Sequence, residues 1–522
     1  MGQPQGHFFI IRGNLTRLKC DAVLLPTDPE TNVTKHWSEL VGRNPSEHGP
    51  LSEFDTPSDW GSTVHTYLYS NGTGNAPAVW LTEIGGGVPS EERLLANVEA
   101  FLDEASKHSS RSLPRLALPA VGTDMGGHRA DKGTVFESLV PFLTEYAATH
   151  PVDVVLVAYE RAHYAAAQRA RKRAADSLGS SKPPFWDLGP REDQLLEKSS
   201  ELAGACNLGQ LVPFLGSGIS KAAGAPSWQA LLDEMFIEVR SDDESDLDAF
   251  HKLDIRDQAS LLKHFYDDEN KYLEAITDRV GRERHSLSHG LLASLETKEN
   301  VTTNYDDLFE RACSAPDSDL AVLPYEPVER NRAHRWLLKL HGSLSRPTDI
   351  VITRDDYLGL PNRAGALFGL VQAMLLTRHM FFVGYSLSDE SFHKVLHEVR
   401  MAQRGSDKDG DGTETPSLLG TALVLQPEPL FAQLFENDLE IVAVADTNED
   451  ITSAERRFEI FLDHLAYQAA DVKSFFMDPT YASMLDPEEL RTAEQLAEVR
   501  NNLPPGPIGK AVRSFLDDLG SP

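Results

Sequence analysis

Four short motifs place chemically competent side chains just after apolar runs. In chain order they are Phe214-Leu215-Gly216-Ser217-Gly218-Ile219-Ser220, Thr303-Asn304-Tyr305-Asp306, Lys339-Leu340-His341-Gly342-Ser343 and Phe382-Val383-Gly384-Tyr385-Ser386-Leu387-Ser388-Asp389. The residue types point to a chemistry. An amide, Asn304, can orient a leaving group or a water. An imidazole, His341, ordinarily titrates at about 6.5 and can accept a proton near neutrality. Gly216, Ser217, Gly218 and Ser220 form a turn into a small-residue helix, where exposed amides favour a diphosphate. This turn lacks the Gly-Lys-Ser/Thr ending of a Walker loop and the third glycine of the dehydrogenase fingerprint. Each motif taken singly has a structural reading. Asp306 or Asp307 would cap the helix begun by Leu308, and Gly342 suits a plain turn.

The elements behind the motifs favour the functional reading. Strands are expected at Val212–Leu215, 300–303, 337–340, Met380–Val383, 422–425 and 440–444, with a helical insertion over 228–300. In open α/β sheets ligands bind beyond the carboxyl ends of strands, and all four motifs lie at such ends. A first α/β unit is expected over 1–178. Its strands are His7–Ile11, Ala22–Leu25, Ala78–Leu81, Arg115–Leu118 and 152–157, and its amphipathic helices run from Pro89 and from Gly133. Gly, Ser and Pro content marks 179–192 as a linker, with Phe185 and Trp186 available to pin it. The second unit spans 193–470, and 471–522 reads as a helical extension with helices from Pro487 and Pro507.

Together the four motifs resemble the sirtuin fold, and more closely the sirtuin-like NAD hydrolases of bacterial antiphage defence, over residues 205–390. The resemblance assigns Gly216, Ser217, Gly218 and Ser220 to the NAD diphosphate. It matches Thr303–Asp306 to the family's Gln-Asn-Ile-Asp motif, with Asp306 in the NAD site, and His341-Gly342 to its catalytic His-Gly. Gly384 and Ser386 then face the adenosine side. Two departures separate this chain from deacylating sirtuins. Thr303 stands where they carry Gln, and the cysteines Cys20, Cys206 and Cys313 cannot build a four-cysteine zinc module. The resemblance therefore implies hydrolysis of NAD to nicotinamide and ADP-ribose by Asn304 and His341, without a metal. The alternatives are an NAD-dependent deacylase or ADP-ribosyltransferase, and a nucleotide sensor without turnover. An effector that depletes NAD must be silent at rest, so a homo-oligomer is expected, and a companion defence protein is a further expected partner.

The first unit resembles a macro domain. Ile11-Arg12-Gly13-Asn14-Leu15-Thr16 corresponds to that family's Gly-Asp-Ile-Thr segment, with Asn14 replacing the adenine-binding Asp. Leu25-Pro26-Thr27-Asp28 replaces its Asn-rich segment. Leu118–Gly127 looks like its phosphate-cradling loop, which makes Gly122, Thr123, Gly126 and Gly127 a second nucleotide site for an ADP-ribose-like regulator. Gly85-Gly86-Gly87 could line the same cleft.

Composition sets the bounds. The 522 residues suffice for two to four domains, and 49 basic against 80 acidic residues give a formal charge of −31. Such a surface repels phosphate backbones and anionic membranes, so no direct nucleic-acid or membrane partner is expected. With no apolar stretch of spanning length and no secretory leader, the protein is expected in the cytoplasm. The basic run Arg169–Arg173 is expected as a solvated helix surface. Asp407–Gly412 resembles the start of a calcium loop, but position twelve is Leu418, so an acidic loop is expected.

Overall fold

The computed structural model describes residues 5–42, 57–72, 74, 76–85, 90–123, 129–177, 186–240, 244–316, 318–326, 335–404 and 418–521. The chain divides into two compact units. One comprises Met1–Asp187, Ser314–Pro316 and Ala466–Pro522; the other comprises Leu188–Cys313 and Asp317–Leu465. Both are α/β, as expected.

The first unit is built on β1 (Phe8–Arg12), β2 (Ala22–Thr27), β3 (Thr66–Ser70), β4 (Ala78–Glu83), β5 (Arg115–Pro119) and β6 (Asp153–Ala158). The sheet order is β1-β6-β5-β2-β4-β3, parallel except for the β3–β4 pair. β4 and β6 are buried along their whole length, and their apolar stretches, 78–81 and 154–158, run without alternation. The helices Glu91–His108 and Lys132–Thr149 start where Ser90 and Asp131 accept backbone N–H groups from Arg93 and Thr134. Their apolar stripes place Val98, Phe101, Phe136 and Leu143 in the core. Residues 471–522, expected as a helical extension, contribute Phe475, Tyr481 and Met484 to that same core. The edge strand β3 was not read from the sequence. Its TYLYS segment is half-buried throughout and lies in a stretch rich in turn residues.

The basic run departs from expectation. Arg171, on the helix Arg161–Ser177, is only 1% exposed. Its guanidinium donates to the Phe8 carbonyl at 2.6 Å and lies 4.4 Å from the Trp186 ring centroid. Arg169 pairs with Glu489, and Arg173 with Glu137 at 2.6 Å. The run is a packing and ion-pairing element because one turn of helix directs its middle residue inward. Trp186 is buried as part of this contact, while Phe185 lies outside the described residues.

The second unit carries β7 (Leu211–Leu215), β8 (Glu299–Thr302), β9 (Leu320–Leu323), β10 (Arg335–Lys339), β11 (His379–Val383), β12 (Gly420–Val424) and β13 (Leu439–Ala443). All pairs are parallel, in the order β13-β12-β11-β7-β8-β10-β9. The insertion between β7 and β8 folds as helices Trp228–Arg240, Glu244–His251, Ile255–Phe265, Glu269–Val280 and Leu287–Ala293. It has its own core of Leu232, Met235, Phe250, Leu262, Tyr272 and Ile276. The helix Arg354–Thr377 was not read from the sequence, although its capping box, Thr353 with Asp356, is a local signal.

Candidate functional site

β7 lies between β8 and β11, so the chain leaves it towards one side of the sheet and returns on the other. A crevice opens at such a switch point, beyond the carboxyl ends of the strands. The four motifs follow β7, β8, β10 and β11 into this crevice. There a cavity of about 390 Å³ is lined by Ser217, Ser220, Asn304, Asp306, His341 and Ser386, together with Trp228, Arg256, Tyr357, Tyr385 and Asp389. Six of the nine expected residues therefore reach one cavity. Gly216, Gly218 and Gly384 are not among the residues that line it.

These glycines meet a need different from the one expected. A Cβ on Gly216 would collide with the Gly384 carbonyl, and one on Gly218 would crowd the same group. Gly384 itself has φ +62°. The two loops pack backbone on backbone, with Gly216 N–H donating to Val383 O at 3.0 Å and Gly218 N–H to Gly384 O at 2.9 Å. Those two amides are thus committed within the protein and do not point to a diphosphate. Gly342, at φ +98°, similarly fits a turn whose Cβ would strike the Asp349 backbone.

A hydrogen-bond chain sets the Asn304 side chain. Its Nδ2 donates to Gly216 O at 3.0 Å and to Ser220 Oγ at 3.1 Å. Ser220 Oγ in turn donates to Asp306 Oδ2 at 2.8 Å, and Asp306 Oδ1 accepts from Leu308 N–H at 3.1 Å. Asp306, expected to meet the nucleotide, spends its carboxylate holding Ser220 and starting the next helix. Burial raises its pKa, and nearby Lys339 opposes that rise. Lys339 is itself buried, bonded to Asp306 O at 2.5 Å and to Glu310 at 2.7 Å. Ser386 Oγ is bonded to Ser388 Oγ at 2.6 Å.

His341 is 4% exposed. Burial lowers its pKa, and the Asp389 carboxylate partly counters this. Its Nε2 is buried without a hydrogen bond, as are Tyr385 Oη and Trp228 Nε1. Buried polar atoms of this kind are costly unless a ligand or water serves them. Tyr357 presents its ring to His341 edge-on, with centroids 5.4 Å apart. Leu387, fully buried, is held at φ +55° in the loop after β11, a strain of the kind that gathers at binding sites. Sequence reasoning named neither Arg256 nor Asp389 as site residues. The signal for Asp389 was its place within the last motif; Arg256 sits on a helix whose approach to the sheet no local pattern announces.

Residues 298–438 match the family described as SIR2-like domain. This stretch is similar to SIR2-like domains. It carries β8, β10 and β11 and hence Asn304, Asp306, His341, Gly384 and Ser386, while the β7 loop and the insertion precede it. Relatives extend the likeness. The chain is 27% identical over 196 residues to NAD(+) hydrolase ThsA of Acinetobacter baumannii, covering 36% of this chain and 39% of that protein. It is 28% identical over 224 residues to NAD(+) hydrolase ThsA of Enterococcus faecium, covering 41% of this chain and 44% of that protein. Defense-associated sirtuin 2 of Bacillus subtilis is 24% identical over 225 residues, covering 41% of this chain and 22% of that protein. The chain thus spans less than half the length of these relatives. A solved macrodomain of Trypanosoma brucei in complex with ADP aligns at 14% identity over 32% of this chain and 69% of that one, with a TM-score of 0.25.

The first unit has its own cavity, about 470 Å³, at the carboxyl ends of β2, β4, β5 and β6. Gly122, at φ +81°, and Thr123 line it, with Gly85, His36, Trp37 and Tyr159. Gly126 and Gly127 lie outside the described residues, as do Gly86 and Gly87. Asp28, also in the lining, accepts hydrogen bonds from the N–H groups of Glu30 and Asn32, and Asn14 caps a short turn by accepting from Thr16 N–H at 3.0 Å. Among the described residues, no group of three or more His, Cys, Asp or Glu could hold a metal ion, and no helix is long and apolar enough to cross a membrane. The calcium-like segment 407–412 lies outside the described residues.

Proposed function

We propose that the cavity at the tips of β7, β8, β10 and β11 hydrolyses NAD to nicotinamide and ADP-ribose, and that the protein is an antiphage defence effector acting in the cytoplasm by NAD depletion. The observation that carries this reading is the convergence of Asn304 and His341. They sit at the tips of adjacent, paired strands and line one cavity. The ThsA relatives, named as NAD(+) hydrolases, support it. In the reaction the nicotinamide–ribose bond breaks through an oxocarbenium-like centre and water adds at that carbon. Asn304 positions the nicotinamide or the water. His341 hydrogen-bonds a ribose hydroxyl and accepts the proton released, a contribution of about 10²–10⁴-fold for general-base catalysis. Ser217, Ser220 and Ser386 lie where the rest of the dinucleotide would be held, and Tyr357, Tyr385 and Trp228 exclude water from the reacting end. No step requires a metal.

Incubating the full chain with NAD tests this reading. Free nicotinamide with free ADP-ribose supports it. Acyl- or protein-linked ADP-ribose would favour a deacylase or transferase, and intact NAD under every activating condition a sensor. Asn304→Ala or His341→Ala should abolish turnover; full activity in both would refute the site.

Control by the first unit belongs to the same proposal. An ADP-ribose-like nucleotide in the 470 Å³ cavity would release or assemble the hydrolase, with self-association and a companion defence protein as further means of restraint. Calorimetry on the full chain tests it, since residues 466–522 belong to the first unit. No heat with ADP-ribose would remove this element.

A further inference from the structure

Among the described residues, Asp389 is the one carboxylate within 4 Å of the His341 ring nitrogens. It follows the strained Leu387 in the loop after β11 and starts the helix Glu390–Arg404. Its two oxygens have separate duties. Oδ1 accepts from the N–H groups of Ser391, at 2.8 Å, and Phe392, at 3.3 Å, which caps the helix. Oδ2 lies 3.5 Å from His341 Nε2, and Asp389 side-chain exposure is 12%. No other acceptor among the described residues reaches Nε2, which is buried. His341 Nδ1 makes no hydrogen bond among the described residues, and the residue lines the cavity. The same charge is felt by Tyr305, Tyr357 and Tyr385, which line the cavity together with Asp389.

We infer that Asp389 is a positioning residue. Its Oδ2 accepts from Nε2–H of His341, fixing the neutral ring in that tautomer and leaving the Nδ1 lone pair for the ligand. A neutral imidazole has one donor and one acceptor nitrogen, and the bond made by one decides which face of the ring is basic. The 3.5 Å separation exceeds ordinary hydrogen-bond length, and such contacts shorten when substrate arrives. The inference about catalysis rests on the NAD hydrolase reading, whereas the tautomer does not. If the reaction is as proposed, the nicotinamide–ribose bond breaks, water adds at that carbon, Nδ1 takes the proton that the added water releases through the ribose hydroxyl it bonds, and the resulting imidazolium is stabilised by the Asp389 charge. No other co-reactant enters.

The test uses Asp389→Asn in the full chain. Asn keeps an oxygen for the helix cap, so the variant should melt close to the parent. It can also turn its NH2 towards Nε2, which would force the opposite tautomer. The first readout is the ring ¹⁵N shifts of His341, assigned by their loss in His341→Gln. The expected result is a protonated Nε2 in the parent and a shift towards protonated Nδ1 in Asp389→Asn. The second is NAD turnover, where kcat should fall by about 10²-fold or more with KM within about threefold, as befits a residue acting through another. A parent with protonated Nδ1, or a tautomer unmoved by the substitution, overturns the inference. Should Asp389→Asn fail to fold, the parent spectrum alone decides. Absence of NAD turnover in the parent would remove the hydrolase reading and leave the tautomer result standing.

Discussion

Asn304 donates its side-chain amide to the carbonyl of Gly216 at 3.0 Å, joining the tip of β8 to the loop after β7. A carbonyl only accepts, so the NH2 end of the amide faces Gly216.

Asn304→Ala should therefore do two things. It leaves the Gly216 carbonyl and Ser220 hydroxyl short of a donor, which costs about 1–2 kcal/mol. It also frees the loop that shapes the cavity, and turnover of NAD should drop by at least about 10²-fold from misplacement alone. Urea unfolding and nicotinamide release measure the two effects. Asn304→Asp should be worse in both, because it sets a carboxylate against a carbonyl.

Acid should weaken the second unit through buried histidines. Burial pushes His285 down to about 4 and His289 down to about 3, from the ordinary 6.5. The unfolded chain protonates first, so their stabilising contribution is full above about pH 6.5 and is lost as pH falls towards those values. Asp306 and Glu310, raised by burial, act in the opposite sense, so a difference measurement isolates one group. Between pH 7 and 5, His289→Gln should lose about 2 kcal/mol less stability than the parent. Equal losses in urea titrations would contradict the buried neutral ring.

Arg171 should behave as a core residue despite its basic neighbours. Arg171→Ala removes the bond to the Phe8 carbonyl and the stacking on Trp186, for about 2–4 kcal/mol. Arg171→Lys should rescue little, since an ammonium cannot stack as a planar guanidinium does. Thermal melts that left Arg171→Ala unchanged would restore the solvated-surface reading.

Buried Lys339 pairs with half-buried Glu310 beneath the Asn304 loop. Lys339→Met leaves the Glu310 carboxylate unpaired and should cost about 3–5 kcal/mol. Adding Glu310→Leu should recover most of that, while the loss of the bond from Lys339 to the Asp306 carbonyl persists in lower turnover. Denaturant midpoints across the four-member cycle give the coupling.

What the sequence determined by itself was local. Runs such as Leu211–Leu215 and His379–Val383, each ending in glycine and serine, announced strands with reactive loops at their tips, because strand period and turn chemistry are written in adjacent residues. Asn304 and His341 stood out for the same reason. The tertiary structure decided what is non-local: that β7 lies between β8 and β11, that Gly216 and Gly384 are small to admit each other's backbone, and that Asp306 serves Ser220. It also turned Arg171 inward and set Asp389 beside His341. Strand order, burial and the meeting of residues far apart in the chain arise from packing the whole unit, and no window of neighbouring residues encodes them.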